Sequence, residues 1–215
     1  KKVKVIYLSS ASVYGNQKKL PVDENRKTQI NNLYDNLKIL SEQILINSNI
    51  KNLNYTILRL SNVYGENHSK LNQKNRQILS KIIKFAFKFK KINVYGNGRY
   101  FRDYIHVKDV CEVILKVMTI KKSNNQIFNI GSGQKVQLIS MFKLIQKIIL
   151  KNYGYSITLN KVKIKKNEMN SERNYQASVI KTKRLLKWKT NIELISGVTN
   201  LINFIYKKKL VNLKS

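Results

Sequence analysis

The sequence of 215 residues is poor in cysteine, proline, alanine and acidic residues. Its single cysteine, Cys111, excludes a disulfide within the chain and with it the class of small disulfide-stapled domains. No apolar run approaches the roughly 20 residues that span a bilayer, and no short apolar stretch follows a basic start as in a signal peptide. The 42% of hydrophobic residues is an ordinary globular content. We therefore expect a folded, soluble protein of the cytoplasm.

The shortage of acidic residues leaves a large positive charge. The chain has 11 acidic residues against 42 lysines and arginines, so its formal net charge is +31. A field of this strength attracts polyanions such as nucleic acids whatever their sequence. The basic residues are spread over almost every segment, however, and do not form one stripe interleaved with stacking aromatic residues. We expect a solvated basic surface without a dedicated nucleic-acid site, and a polyanion-binding module is kept as an alternative.

The first patterned stretch of the chain is an apolar run that ends in two serines. Residues 3–8 are mostly β-branched, aromatic or aliphatic, and Ser9 and Ser10 follow them. This pattern predicts a buried parallel strand, and residues 54–60 and 126–130 predict two more. In open α/β sheets, ligands bind at the carboxyl ends of the strands. The two serine hydroxyl groups are therefore predicted at a ligand-binding edge.

A helix is predicted to begin after Asn31 or Asn32, because either residue is a good N-cap. One face of this helix is an apolar stripe that we expect to form its packed surface. The stripe consists of Leu33, Leu37, Leu40 and Ile44. The helix also carries Tyr34 and Lys38 one position round from this stripe, at the expected boundary between packed surface and cleft.

Tyr34 and Lys38 are four residues apart and therefore share one helix face. A phenol titrates near pH ~10, and a nearby ammonium group favours the phenolate, which can act as a base. A strand-end serine can hold the substrate oxygen in line. The same spacing occurs twice more, in Tyr14 with Lys18 and in Tyr104 with Lys108. Only Tyr34 and Lys38 lie inside a predicted helix downstream of a strand-end serine.

Four further segments complete a recognisable order along the chain. They are Leu-Arg-Leu-Ser-Asn-Val-Tyr-Gly at 58–65, Tyr-Gly-Asn-Gly at 95–98 running into Arg-Asp-Tyr-Ile-His-Val at 102–107, Phe-Asn-Ile-Gly-Ser-Gly at 128–133, and Lys-Arg-Leu-Leu-Lys-Trp at 183–188. With these segments and with Ser10, Tyr34 and Lys38, the chain resembles extended short-chain dehydrogenases/reductases, specifically the nucleotide-sugar epimerase/dehydratase family. The resemblance implies an α/β fold: the C-terminal part of a Rossmann-like doubly wound parallel sheet, with a small mixed α/β substrate-binding region.

The resemblance also implies an activity and the residues that carry it. The implied enzyme is an NAD-dependent nucleotide-sugar epimerase, which oxidises the sugar at C4 to a 4-keto intermediate and reduces it again. The catalytic roles fall on Ser10, Tyr34 and Lys38. The cofactor contacts fall on Ser9, Tyr34 and Lys38. The substrate contacts fall on Ser10, Asn62, Arg102 and Arg173. NAD is the implied cofactor with NADP as the alternative, a nucleotide-diphosphate sugar is the implied substrate, a homodimer is implied for the full-length form, and no metal is expected.

Some residues depart from the family pattern or allow a second interpretation. Asn62 could satisfy turn backbone instead of contacting the diphosphate of the substrate. Ala11 and Ser12 stand where 4,6-dehydratases of the family carry an acidic pair, which disfavours a dehydratase and leaves reductases and other epimerases open. Asp35 follows Tyr34, where small residues are usual in the family.

The sequence has no Gly-x-x-Gly-x-x-Gly turn, which in the family brings backbone amides against the dinucleotide pyrophosphate. We therefore expect residues 1–215 to form one partial domain without its N-terminal cofactor-binding half. Its Rossmann part is expected over about 1–65 and 108–150, and its substrate-binding part over about 66–107 and 151–215. A catalytically silent fragment is the remaining alternative.

Overall fold

The structure is a computed structural model that describes residues 2–67, 77–163 and 173–211. The strands within these ranges are β1 (Val3–Ser10), β2 (Leu53–Leu60), β3 (Asn62–Tyr64), β4 (Lys91–Tyr95), β5 (Phe101–Arg102), β6 (Tyr104–His106), β7 (Gln126–Ile130), β8 (Val136–Gln137) and β9 (Thr158–Val162). The α-helices are α1 (Leu33–Ile46), α2 (Ile78–Phe89), α3 (Val107–Thr119), α4 (Leu138–Tyr153), α5 (Ile180–Leu186) and α6 (Leu194–Val211). Short 3-10 turns lie at Ala11–Tyr14 and Lys121–Ser123.

The main sheet consists of three parallel strands in the order β1-β2-β7. Helix α3 packs on one face of the sheet, where Val113 joins Leu58 and Phe128 in one buried cluster. Helix α1 packs on the other face, where Glu42 contacts Arg59. Helices therefore cover both faces, and the prediction of a Rossmann-like doubly wound parallel sheet is confirmed.

Helix α1 packs in an orientation that differs from its hydrophobic pattern. The stripe of Leu33, Leu37, Leu40 and Ile44 points outward, with exposed fractions between 50% and 73%. The two buried positions of the helix are the acidic residues Asp35 and Glu42. Each forms an ion pair, with Arg173 and Arg59 respectively, which offsets part of the cost of burying a charge. The expectation that the stripe forms the packed surface is wrong for the described residues.

A second, larger core lies beside the sheet and is built from α2, α4, α6, β4 and β9. Its strands β4 and β9 pair in parallel, and residues such as Phe87, Ile145 and Ile202 are buried between the helices. By packing, α4 belongs to this second core, whereas the sequence placed residues up to about 150 in the Rossmann part. The division of the chain into two parts stays a prediction.

A third, small cluster covers the carboxyl end of β1. Val13, Tyr14 and Val22 from the segment after β1 are buried against Tyr175 and Ala177. We call residues 173–178 the covering segment. It is fastened by backbone hydrogen bonds from Val22 N to the Gln176 carbonyl oxygen and from Ser178 N to the Val22 carbonyl oxygen, both 2.8 Å. Across the residues that the structure describes, no helix is both long and apolar enough to cross a membrane.

Candidate active site

Ser10 ends β1 and is the N-cap of the 3-10 turn that follows. Its Oγ accepts hydrogen bonds from Ser12 N at 3.2 Å and from Ser12 Oγ at 2.9 Å. The Ser10 hydroxyl group accepts in both of these contacts, so its own proton can be donated outward. The local structure thus holds a hydrogen-bond donor at the carboxyl edge of the sheet.

Tyr34 and Lys38 reach the same edge of the sheet from α1. The N-cap of this helix is Asn32, one of the two caps that the sequence predicted. The Nζ atom of Lys38 donates a hydrogen bond of 2.7 Å to the carbonyl oxygen of Leu8, two residues before Ser10. The same Nζ lies 5.7 Å from the centre of the Tyr34 ring, and the Tyr34 side chain is half exposed. Lys38 therefore connects the end of β1 to the tyrosine and sets a positive charge beside an accessible phenol.

Ser9, expected at the cofactor, points to the opposite face of β1. Its side chain is buried and its hydroxyl donates a hydrogen bond to Oε1 of Glu42. Ser9 also lies opposite Arg59, which in turn lies opposite Asn129, so the three residues form one row across the sheet. A cofactor contact of Ser9 stays a prediction, and it would have to use the backbone, because the hydroxyl group is engaged with Glu42.

This row belongs to a buried polar network that sequence reasoning missed. Arg59 donates to both carboxylate oxygens of Glu42, with Nη2 to Oε2 at 2.6 Å and Nε to Oε1 at 3.1 Å. Arg59 Nη1 donates to the Tyr14 hydroxyl at 2.9 Å, and that hydroxyl donates to Asn129 Oδ1 at 2.7 Å. Burial raises the pKa of Tyr14 to about 12, although the charge of Arg59 acts in the opposite direction. The network fixes the sheet edge that carries Ser10. The sequence signal for this network was Arg59, a lone arginine inside an apolar strand.

Arg173 begins the covering segment and contacts the start of α1. Its Nη2 lies 3.0 Å from Oδ2 of Asp35, and its Nη1 donates to the carbonyl oxygen of Ser12 at 3.3 Å. The structure thus brings Arg173 next to the neighbours of both Tyr34 and Ser10.

Arg102 lies on β5, and its guanidinium donates to the Phe101 carbonyl oxygen at 3.1 Å. Burial lowers the pKa of Arg102. The phenol of Tyr104 opposes this shift, and the positive charge of Arg173 adds to it. Two guanidinium groups close enough to repel each other form a favourable place for an anion, because an anion bound between them relieves the repulsion.

Asn62, at the start of β3, donates through Nδ2 to the carbonyl oxygen of Asp103 at 3.0 Å, and its backbone N–H donates to the same oxygen. This contact supports the interpretation in which Asn62 satisfies backbone, and its contact with a substrate stays a prediction. Asp103 itself was missed. The available signal was an acid directly after Arg102 in a chain that has only 11 acidic residues.

The Asp103 carboxylate is fully buried and organises the glycine turn after β7. It accepts hydrogen bonds from Ser132 N, Ser132 Oγ, Gly133 N and Ala177 N at 2.8 to 3.0 Å. A Cβ on Gly131 would come within 2.8 Å of Asp103 Oδ2 and still closer to Ser61 Oγ, so only glycine fits this close approach. Burial raises the pKa of Asp103 while its four hydrogen bonds oppose the shift. The carboxylate joins the glycine turn to the covering segment.

Within residues 2–67, 77–163 and 173–211, no three histidine, cysteine or acidic side chains come together as a set that could hold a metal ion. The predicted absence of a metal stays a prediction.

The comparison with protein families identifies a match over the part of the chain that bears Ser10, Tyr34, Lys38 and Arg102. The family described as "NAD dependent epimerase/dehydratase family" matches residues 1–131. UDP-glucose 4-epimerase from Yersinia enterocolitica is 34% identical over 169 residues, which cover 72% of this chain and 50% of that protein. The dTDP-D-glucose 4,6-dehydratase from Mus musculus is 25% identical over 216 residues, which cover 99% of this chain and 58% of that protein.

Solved structures give the same result for the fold. The crystal structure of UDP-glucose 4-epimerase from Thermotoga maritima with UDP-glucose matches with a TM-score of 0.81 and 26% identity. The match covers 96% of this chain and 64% of that chain. This chain thus spans between 50% and 64% of the lengths of these three proteins.

Proposed function

The chain belongs to the NAD-dependent epimerase/dehydratase family, and on that basis we propose that it carries the catalytic side chains of a nucleotide-sugar 4-epimerase. The observation that carries the proposal is the position of Lys38, whose Nζ contacts the Leu8 carbonyl oxygen at the end of β1 and lies beside the Tyr34 ring. The phenol of Tyr34, the positive charge beside its ring and the hydroxyl group of Ser10 then share one edge of the sheet.

Each chemical role falls to one of these three side chains. Ser10 donates a hydrogen bond to the oxygen at C4 of the sugar, and Tyr34 removes the proton from that oxygen as hydride leaves C4. Lys38 sets its positive charge beside the Tyr34 ring and would use another of its three N–H donors to hold the nicotinamide ribose. NAD, when bound, supplies the hydride acceptor. The resulting 4-keto sugar would then take back the hydride on its other face while Tyr34 returns the proton to the oxygen, which inverts C4.

The substrate phosphates are held by the two arginines. Arg102 and Arg173 can each offer a planar, permanently charged fork that forms paired hydrogen bonds with phosphate oxygens. Their mutual repulsion favours an anion between them. We propose UDP-sugars as the substrate class, and Asn62 as a further contact near the diphosphate.

The residues of this chain fit only one end of NAD. Tyr34 and Lys38 suit the nicotinamide and its ribose, but the sequence has no Gly-x-x-Gly-x-x-Gly turn for the pyrophosphate. We propose that this turn comes from residues outside the sequence, as the partial coverage of the relatives supports. NADP is the alternative cofactor, and titration with both dinucleotides distinguishes them.

A dehydratase is the main alternative within the family. The two residues after Ser10 are Ala11 and Ser12, and Ser12 uses its hydroxyl to donate to Ser10. Neither side chain can serve as the acid or the base that elimination of water requires. This observation favours epimerisation over dehydration, and a reductase of the same family stays open.

We also propose a homodimer, with the outward stripe of α1 as the contact between two copies. A line of exposed leucines and an isoleucine is an apolar surface of the kind that marks an interface. In a twofold dimer the same face is buried twice. A cytoplasmic location stays a prediction.

The function is tested in a version of the protein completed with the glycine-rich turn, by supplying NAD and UDP-galactose and following UDP-glucose by NMR, together with calorimetric titration of NAD and UDP. Conversion to UDP-glucose supports the epimerase. Formation of a 4-keto-6-deoxy sugar would identify a dehydratase instead. Binding of UDP without NAD binding or turnover would favour the silent fragment, and failure to bind UDP would contradict the substrate class.

A further inference from the structure

Asp35 is an unusual residue for its place in the molecule. It follows Tyr34 in the first turn of α1, and its side chain is fully buried. Asn32 Nδ2 donates to its Oδ2 at 3.1 Å, and Arg173 Nη2 lies 3.0 Å from the same oxygen. Its other oxygen, Oδ1, is buried without a hydrogen-bond partner among the described residues. A buried carboxylate that is only half satisfied lowers stability, and such features are typical of functional sites.

The partner of Asp35 is an arginine with few other restraints. Besides Asp35, the guanidinium of Arg173 contacts the Ser12 carbonyl oxygen at a long 3.3 Å. Its backbone neighbours are fixed, because Asn174 N donates to Asn16 Oδ1 and Tyr175 N donates to the Phe101 carbonyl oxygen. A free arginine side chain has considerable rotamer entropy to lose when it is ordered. The ion pair therefore determines where the Arg173 guanidinium points.

We propose that Asp35 is a positioning residue that orders Arg173 for the phosphates of the substrate, and so fastens the covering segment to the helix that carries Tyr34 and Lys38. This inference rests on the proposed function, because it takes the anion to be a nucleoside diphosphate. Asp35 does not touch the substrate. It acts through Arg173, so its effect must disappear when Arg173 is absent and must concern ligands with phosphates only.

The test is a double-mutant cycle in the full chain, with UDP and uridine as the calorimetric probes. We expect Asp35→Asn to weaken UDP binding about tenfold, which corresponds to about 1.4 kcal/mol, and to leave uridine binding unchanged. Arg173→Ala weakens UDP binding as well, and the double variant binds UDP no more weakly than Arg173→Ala alone. Arg99→Ala, at an exposed arginine, is the matched control for the loss of a positive charge.

Several results would overturn the inference. They are an unchanged UDP affinity in Asp35→Asn, losses that add in the double variant, or an equal loss for uridine, which would indicate a purely structural role. If Asp35→Asn does not fold, Asn32→Ser decides, because serine keeps an N-cap oxygen and removes the amide that orients Asp35. Asn32→Ser should weaken UDP binding by a smaller factor of about two to three, and no change would contradict the inference. A wild-type chain that does not bind UDP would refute the proposed function itself.

Discussion

Replacing Arg59 with Met should leave the carboxylate of Glu42 buried and without its ion-pair partner. The pair is almost fully buried, with side-chain exposures of 6% for Arg59 and 1% for Glu42. Removing one partner of a buried ion pair costs about 3 to 5 kcal/mol, because the remaining charge is unpaired. In a domain of this size, 1 kcal/mol shifts the melting temperature by about 2 to 4 °C, so a loss of about 6 to 20 °C is expected.

Urea unfolding followed by tryptophan fluorescence measures the loss in the free energy of unfolding. The sequence contains one tryptophan, Trp188, which is buried against the sheet core and therefore reports its unfolding. Arg99→Met, at an exposed arginine, should change the free energy of unfolding by less than about 0.5 kcal/mol. The double variant Glu42→Met with Arg59→Met should be more stable than Arg59→Met alone, since it no longer buries an unpaired charge. A loss below about 1 kcal/mol for Arg59→Met, or strict additivity in the double variant, would refute this reasoning.

The remaining predictions concern catalysis, pH, assembly and charge. In a complete, active version of the enzyme, Tyr34→Phe should reduce turnover by a factor of about 10² to 10⁴ with UDP affinity retained, whereas Tyr55→Phe, far along β2 from the site, should be silent; retained turnover in Tyr34→Phe would remove this residue from the mechanism. Burial raises the pKa of both Tyr14 and Tyr104 to about 12. A phenol with a raised pKa in the folded state stabilises it below pH ~10 and loses that contribution as the pH rises to about 12. The free energy of unfolding should therefore fall over this interval, and phenolate absorbance should show a group of tyrosines that ionise late, Tyr14 and Tyr104 among them; a flat stability profile would contradict this prediction. Leu37→Lys should convert the proposed dimer to monomer in light scattering, and an unchanged mass would exclude α1 as the interface. DNA should bind only with a steep salt dependence and without sequence preference, and tight binding at high salt would instead indicate a dedicated site.

The sequence predicted the three strands of the main sheet well, because a short run of apolar residues is a signal contained in the strand itself. The apolar runs at 3–8, 54–60 and 126–130 correspond to β1, β2 and β7, and the observed bounds differ by two residues at most. The candidate cap Asn32 was likewise identified from residue type alone. The positions of Ser10, Tyr34 and Lys38 followed from the family motif in combination with these elements.

Long-range charge pairs account for what could not be predicted. The periodicity of α1 revealed an apolar face, but it could not reveal that Asp35 and Glu42 would find arginines 138 and 17 positions away in the sequence and turn that face outward. Asp103 was missed for the same reason, because its donors come from Ser132, Gly133 and Ala177. The residues next to an aspartate or glutamate in the sequence do not indicate which distant residue its carboxylate will contact.

The Asp103 carboxylate also has a consequence for how the molecule opens. Three backbone amides, from the glycine turn and from the covering segment, share this one acceptor group. A fluctuation that withdraws the carboxylate releases all three amides at once, and one that withdraws a single amide leaves the other two in place. Withdrawal of the carboxylate therefore frees the cover and loosens the glycine turn together, so the free energy of that event is a property of the cluster as a whole and not of any single hydrogen bond.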